Sequence, residues 1–139
     1  YALDGDSQGL AGLNKSWKLY RGHKAQTHTL ASIFLIEKKQ LKKAEREDTI
    51  KIAKKEASSL LRVRHPGVLA VVEPLTEDEN ILAFVTERVE GTMAQLIKNN
   101  KMAEYLNSEL ELKLYLYPFL ETISFIHDTL KQAHLAISP

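Results

Sequence analysis

The sequence predicts an α+β fold in which an antiparallel sheet carries one helix and is followed by a helical portion. Three observations support this class. Strand-like segments lie on both sides of a single amphipathic helix, a polar turn joins two strands into a hairpin, and a long apolar helical stripe comes after them. No internal repeat or low-complexity segment interrupts this order.

The first part of the chain predicts two strands and the helix. Alternation at Trp17–Tyr20 indicates a short strand, and the nearly all-apolar run 30–36 indicates a strand buried on both faces. The helix should end before His65-Pro66, because proline disfavours helical geometry in the residue that precedes it. Its narrow apolar stripe consists of Ile50, Ala53, Ala57, Leu60 and Leu61.

The second part predicts the hairpin and the later helices. Val68–Val72 and Ile81–Thr86 read as strands joined by the polar turn Glu77–Asn80. A short helix is expected at Met93–Asn99. Ser108 and Glu111 form a capping box before a longer apolar helix, which Pro118 should kink. Because little chain follows to cover that helix, we expect the sequence to be the front half of a larger domain.

Composition excludes several classes of protein. The chain has 139 residues, a net charge of +1, 44% hydrophobic residues and no cysteine. Disulfide scaffolds, thiol nucleophiles and cysteine-based zinc sites are excluded, and no apolar run approaches the ~20 residues of a membrane span. The start of the chain has no signal-peptide pattern, and the near-neutral charge argues against nucleic-acid binding. His127 and His134 lack further ligands at fixed spacing, so no metal site is expected.

Charge is unevenly distributed along the chain. Residues 38–64 carry a net charge of +6, and residues 73–90 carry a net charge of −5. The favoured interpretation is two solvated faces, and attraction of acidic partners is the alternative.

Four segments, in the right order, resemble protein-kinase motifs. The segment from Glu56 to Leu69 resembles E-x-x-x-L-x-x-L-x-H-P-N-I-V, whose glutamate lies on the single small-lobe helix. Val85–Gly91 resembles the hinge that meets the adenine ring. Phe125–His127 resembles the Y-L-H at the end of the long large-lobe helix, and His134–Pro139 stands where H-R-D-L-K-P belongs.

This resemblance implies a protein kinase-like fold with one αC-type helix on an antiparallel small-lobe sheet, followed by the first helices of the large lobe. The implied divisions are a small lobe at 1–86, a hinge at 87–91 and the beginning of the helical large lobe at 92–139.

The chain departs from the active-kinase pattern where phosphate should be held. A working kinase uses a strand lysine for the phosphates and a catalytic-loop aspartate as base. The register A/V-A-x-K places Phe34 at the lysine position, with Ser32 two residues before it. A register shifted by four residues would place Lys38 there but would bury Glu37 beside it, which is costly. We therefore prefer Phe34.

The catalytic loop and the glycine-rich loop are altered too. Leu135 and Ala136 stand at the arginine and catalytic aspartate positions, and Ser138 at the lysine that would meet the γ-phosphate. Alanine cannot accept a proton, so general-base assistance is missing. With Trp17 at the valine position, the three glycine positions read Leu10, Gly12 and Lys15, which hinders the approach of backbone to phosphate.

With these substitutions, the chain resembles the Scyl (Scy-like) pseudokinases. That family joins a degenerate kinase domain to helical repeats and acts in vesicle trafficking at Golgi and endosomal coats. The resemblance implies a cytoplasmic protein-interaction scaffold, associated with Golgi or endosomal membranes at most peripherally. Its partners would be proteins such as coat or trafficking components, with no nucleic acid, and the oligomeric state stays open.

The resemblance also implies a vestigial nucleotide cleft, which binds either no cofactor or weak ATP without efficient magnesium coordination. Backbone groups at the hinge could still meet an adenine ring. Glu56 is either a remnant of the lysine–glutamate pair or, as the favoured interpretation, an ordinary helix position paired with a nearby lysine. The implied cleft residues are Gly12, Trp17, Ser32, Phe34, Glu56, Thr86, Glu87 and Val89.

Three functional hypotheses follow, in order of preference. The first is a catalytically degenerate kinase-like scaffold. The second is an atypical active Ser/Thr kinase that recruits Lys38 or Lys39 for phosphate. The third is an unrelated α+β adaptor whose motif matches arose by chance.

Overall fold

A computed structural model of the chain describes residues 1–102 and 108–131. Six strands form one antiparallel sheet in the order β1-β3-β4-β6-β5, and β2 also pairs with β3. The strands are β1 Ala2–Leu3, β2 Gly9–Ala11, β3 Trp17–His23, β4 Leu30–Glu37, β5 Val71–Glu77 and β6 Ile81–Thr86. Within the described residues, the helices are α1 Arg46–Arg62, α2 Met93–Lys98 and α3 Glu109–Ser124. Single turns of 3₁₀-helix occur at Leu13–Lys15 and Lys38–Gln40, and a π-helical turn occurs at Phe125–Thr129.

The predicted α+β class is confirmed, and most predicted elements are present. β1 and β2 pair with opposite ends of β3 and so share one edge of the sheet. The sheet is therefore five strands wide. β4 lies at the centre of the sheet between β3 and β6, which explains its apolar residues on both faces. α1 ends at Arg62, before His65-Pro66 as predicted.

The main core lies between one face of the sheet and α1. The helix presents Ala53 and Ala57, which let it approach the sheet closely. The sheet contributes two alternating residues from each of its three central strands, namely Trp17, Leu19, Phe34, Ile36, Leu82 and Phe84. The opposite face carries a smaller cluster of Ala31, Ile33 and Val85.

One predicted strand is misplaced. The sequence predicts a strand at Val68–Val72, but β5 runs from Val71 to Glu77. Its partner β6 ends at Thr86, which pairs with Val71, so the ladder cannot begin earlier. Pro74 lies where the register of this edge strand shifts, and edge strands tolerate proline because their outer N–H groups need no partner.

The long helix continues through Pro118 as one element, and its N-terminus is capped as predicted. The Ser108 hydroxyl accepts a hydrogen bond from the Glu111 N–H at 3.2 Å. Its large apolar side chains are exposed: Leu110, Leu112, Leu114, Tyr115, Leu116, Tyr117, Phe119 and Leu120. Among residues 1–102 and 108–131, no helix combines the length and apolarity that a bilayer crossing requires.

Candidate functional site

The segment that the resemblance aligns with the glycine-rich loop packs onto α1. Gly12 follows β2 with a φ of +78°, a conformation that glycine adopts without strain. A Cβ atom on Gly12 would lie 2.5 Å from Trp17 Cδ1 and 3.0 Å from Glu56 Oε2. Glycine is therefore needed here for close packing of the loop on Trp17 and Glu56.

Glu56 holds this loop with both carboxylate oxygens. Oε2 accepts a hydrogen bond from Trp17 Nε1 at 3.0 Å, and Oε1 accepts one from the Leu13 backbone N–H at 2.5 Å. None of the ion pairs among the described residues involves Glu56. The expectation that Glu56 pairs with a lysine on its own helix is therefore wrong, because the loop reaches the carboxylate instead.

Three aromatic rings fill the space between this loop and the centre of the sheet. Phe34 and Phe84 are direct partners on β4 and β6, and their rings stack at 4.9 Å with an interplanar angle of 4°. The edge of Trp17 meets Phe84 at 4.8 Å and 86°. Trp17 is 2% exposed and Phe34 is 7% exposed. Phe34, which the sequence register places at the position of the phosphate-binding lysine, thus belongs to an apolar cluster of three rings.

The residues on the hinge side of the cleft are hydrogen bonded to one another. Ser32 and Thr86, paired on β4 and β6, are both fully buried. The Ser32 hydroxyl accepts a hydrogen bond from the Val89 N–H at 2.8 Å, and the Thr86 hydroxyl donates one to the Glu87 carbonyl at 2.9 Å. The structure therefore brings these four predicted cleft residues together, and it does so through hydrogen bonds that the sequence did not indicate.

The start of the glycine-rich segment also approaches α2. A Cβ atom on Gly9 would lie 2.8 Å from Gln95 Oε1 and 3.1 Å from the Thr92 side chain. β2 therefore lies directly against the first turn of α2. Gly9 reads as a plain turn residue in the sequence, and no signal at Thr92 or Gln95 indicates this contact.

Lys38 lies outside the cleft. It begins the 3₁₀ turn after β4, and its ammonium group contacts Glu77 Oε1 at 2.8 Å and the Asp78 carbonyl at 2.6 Å. Lys54 Nζ contacts Glu77 Oε2 at 2.5 Å. These contacts support the register that places Phe34, and not Lys38, at the lysine position.

The hydrogen bonds from Lys38 and then Lys54 hold the pKa of the Glu77 carboxyl below its ordinary value of 4.5. Because the folded-state pKa is lowered, the pairing of Glu77 with these lysines stabilises the fold above the unfolded-state pKa of the carboxyl. This stabilisation is lost as the pH falls through the folded-state pKa. We expect Lys38→Met to raise the pKa of Glu77 in an NMR titration of its carboxyl carbon. Lys39→Met, an exposed neighbour, is the matched control and should leave it unchanged. An unchanged Glu77 titration in Lys38→Met would contradict the pairing.

Other predicted positions lie apart from the cleft or outside the described residues. His65 accepts a hydrogen bond at Nδ1 from the Gly67 N–H at 3.0 Å and stacks on Phe125 at 4.6 Å, so its role is local and structural. His134, Leu135, Ala136 and Ser138 lie outside the described residues. The part of the chain that the structure describes holds no cluster of three metal-ligating side chains.

Comparison with known proteins identifies relatives of this chain. No protein-family model matches the chain. Human SCY1-like protein 2 is 31% identical over 136 residues, which cover 89% of this chain and 15% of that protein. The protein kinase domain-containing protein ppk32 of Schizosaccharomyces pombe is 30% identical over 146 residues, which cover 88% of this chain and 20% of that protein. The chain thus spans a fifth or less of the length of these curated relatives.

A solved structure supports the same assignment of the fold. The crystal structure of Rad53 1–466 in complex with AMP-PNP matches 99% of this chain and 33% of its own chain, with a TM-score of 0.69 and 17% identity. Likeness at this identity shows the fold alone, and it excludes the hypothesis that the motif matches arose by chance on an unrelated adaptor. The chain has a protein kinase-like fold, and its homologues include the SCY1-like proteins.

Proposed function

We propose that this kinase-like domain is catalytically degenerate and serves as a protein-interaction scaffold. A single observation carries the proposal: the Glu56 carboxylate is held by Trp17 Nε1 and the Leu13 N–H instead of by a lysine. In an active kinase that glutamate orients the lysine that binds the α- and β-phosphates. Here both of its oxygens are occupied by the loop that would otherwise cover the phosphates.

The packing around Glu56 supports the same conclusion. Phe34 and Trp17 place apolar carbon where phosphate would need a cation, and a polyanion gains nothing from such a surface. Rad53 was crystallised in complex with AMP-PNP, so a fold of this kind can hold a nucleotide analogue. The likeness extends to the fold, whereas the aromatic cluster and the occupied Glu56 argue against equivalent binding by this chain.

The resemblance of the catalytic loop adds a second reason. Ala136 stands at the aspartate position and has no group to take a proton from a hydroxyl substrate. We therefore propose that the domain binds no nucleotide, or binds ATP weakly without efficient magnesium coordination. The divisions at 1–86, 87–91 and 92–139 remain our proposed small lobe, hinge and large-lobe segment.

A phosphotransfer assay on the full-length protein tests the loss of catalysis. We expect no transfer of radiolabelled phosphate from Mg-ATP above background, in the unaltered protein or in Lys38→Ala and Lys39→Ala. The two variants are matched because the lysines are adjacent and only Lys38 pairs with Glu77. Sustained turnover that Lys38→Ala abolishes and Lys39→Ala preserves would instead establish the atypical kinase.

The cellular part of the proposal follows the Scyl resemblance. We propose a cytoplasmic role with protein partners among coat and trafficking components, at Golgi or endosomal membranes. Proximity labelling with the full-length protein should recover such components, with equal yield when Glu56→Gln weakens the cleft. A labelled set without trafficking proteins would contradict this part and leave the catalytic part standing.

A further inference from the structure

We propose that Ser32 and Thr86 act as an internal ligand for the hinge segment, residues 87–91. Their hydroxyls supply the hydrogen bonds that the edge of an adenine ring would offer, and so hold this segment against the sheet without a nucleotide. The inference goes beyond the scaffold role, because it assigns a positioning function to two buried side chains inside the fold.

The first half of this internal ligand is Ser32. Its hydroxyl accepts a hydrogen bond from the Val89 N–H at 2.8 Å and lies 3.5 Å from the Val89 carbonyl, toward which it can donate. A hydroxyl can accept and donate at once, so one side chain serves both backbone groups. Ser32 is fully buried at the centre of the sheet, so water does not compete for these bonds.

The second half is Thr86, which stands opposite Ser32 in the ladder between β4 and β6. Its hydroxyl donates to the Glu87 carbonyl at 2.9 Å. Adenine presents a ring-nitrogen acceptor beside an amino-group donor. Ser32 and Thr86 present the same pair of groups, an acceptor for the Val89 N–H and a donor for the Glu87 carbonyl.

Two further contacts hold the hinge segment from outside the cleft. The Glu87 backbone N–H donates a hydrogen bond to the Ala70 carbonyl at 3.0 Å, and the Glu87 carboxylate accepts one from the Ala70 N–H at 2.9 Å. The Arg21 guanidinium donates to the Glu90 carbonyl at 3.2 Å. The segment is therefore bonded to β3, to β4 and to the residue before β5, and its backbone is occupied from several sides.

Amide hydrogen exchange at Val89 in the full-length protein tests the inference. In Ser32→Ala, we expect the Val89 amide to exchange about tenfold or more faster, because a partly buried donor loses its partner. Ser58→Ala makes the same substitution at an exposed position of α1 and should match the unaltered protein. If Ser32→Ala fails to fold, Ser32→Cys replaces it and should give an intermediate rate, because a thiol is a weaker hydrogen-bonding group.

A second arm adds adenosine at millimolar concentration to the unaltered protein. Because Ser32 already occupies the Val89 N–H, we expect no change in its exchange rate. The inference is overturned if Ser32→Ala and Ser58→Ala give equal rates at Val89, or if adenosine slows exchange in the unaltered protein. These outcomes are independent of the phosphotransfer assay, so failure here is distinguishable from failure of the proposed function.

Discussion

Trp17→Ala is expected to destabilise the protein by about 3–5 kcal/mol, the usual loss when a large buried aromatic side chain is truncated. The ring is 2% exposed and its edge packs on Phe84 at 4.8 Å. Its indole N–H also holds one oxygen of Glu56, so truncation leaves a partly buried carboxylate with only the Leu13 N–H. Chemical denaturation monitored by circular dichroism measures the loss.

Trp17→Phe separates the two contributions of this side chain. It keeps an aromatic ring in the core but removes the indole donor, so we expect a smaller loss of about 1–3 kcal/mol, typical of a buried polar group deprived of its partner. In Trp17→Phe, a further Glu56→Gln change should cost less than it does alone, because the two residues act as a pair. Additive losses in this double-mutant cycle would contradict a direct hydrogen bond.

Phe34→Lys is expected to destabilise the protein on the order of 3–5 kcal/mol and not to restore Mg-ATP binding. The substitution removes a ring that stacks on Phe84 and places an ammonium group among aromatic side chains. Glu56 is already bonded to Trp17 and Leu13, so it is not a free partner for the new charge. Thermal-shift titration with Mg-ATP measures both effects.

The pH dependence of Phe34→Lys identifies the cause of its instability. Apolar surroundings lower the folded-state pKa of the introduced lysine, whose unfolded value is about 10.4. Between these two values the unfolded chain binds more protons, so the free energy of unfolding should rise with pH. Phe34→Leu is the control without a charge. A Phe34→Lys variant as stable as Phe34→Leu at neutral pH would show that the lysine had found Glu56, contrary to this expectation.

Much of the fold could be predicted because local patterns agree with tertiary packing. The apolar run 30–36 indicated a central strand, and the helical stripe with the His65-Pro66 stop located α1 closely. β5 could not be located from its own residues. The start of β5 depends on where β6 ends. Pro74 argues against a strand when the sequence is read alone, but an edge strand tolerates proline.

The candidate site was predictable as a set of positions and not as a set of contacts. The resemblance assigned Phe34, Glu56 and Ser32 to the cleft, and the structure adds the contacts that each of them makes. The partner of Glu56 depends on a long-range approach of the loop, from 39 residues away along the chain for Trp17. No periodicity records such an approach, and the Gly12 conformation that permits it became visible only in the backbone.

The contact that the Ser32 hydroxyl makes at the hinge could not be predicted from the sequence either. The A/V-A-x-K register placed Ser32 two residues before Phe34, and nothing in the sequence indicated which group its hydroxyl would bond. The Val89 N–H lies 57 residues away along the chain and comes within reach because β4 and β6 are adjacent in the sheet. Only the strand order supplies that neighbourhood.

The NMR signal of the Trp17 indole N–H, followed during titration with Mg-ATP, measures whether the loop stays packed on Glu56 when nucleotide is present. Trp17 is the only tryptophan among the 139 residues, so in the ¹⁵N-labelled chain its side-chain signal is unambiguous. We expect a slowly exchanging indole proton whose signal stays unmoved as Mg-ATP is added, because Glu56 and the aromatic cluster keep the loop closed. A signal that shifts saturably with Mg-ATP would show that the loop opens for nucleotide, and would contradict a cleft closed by Trp17 and Glu56.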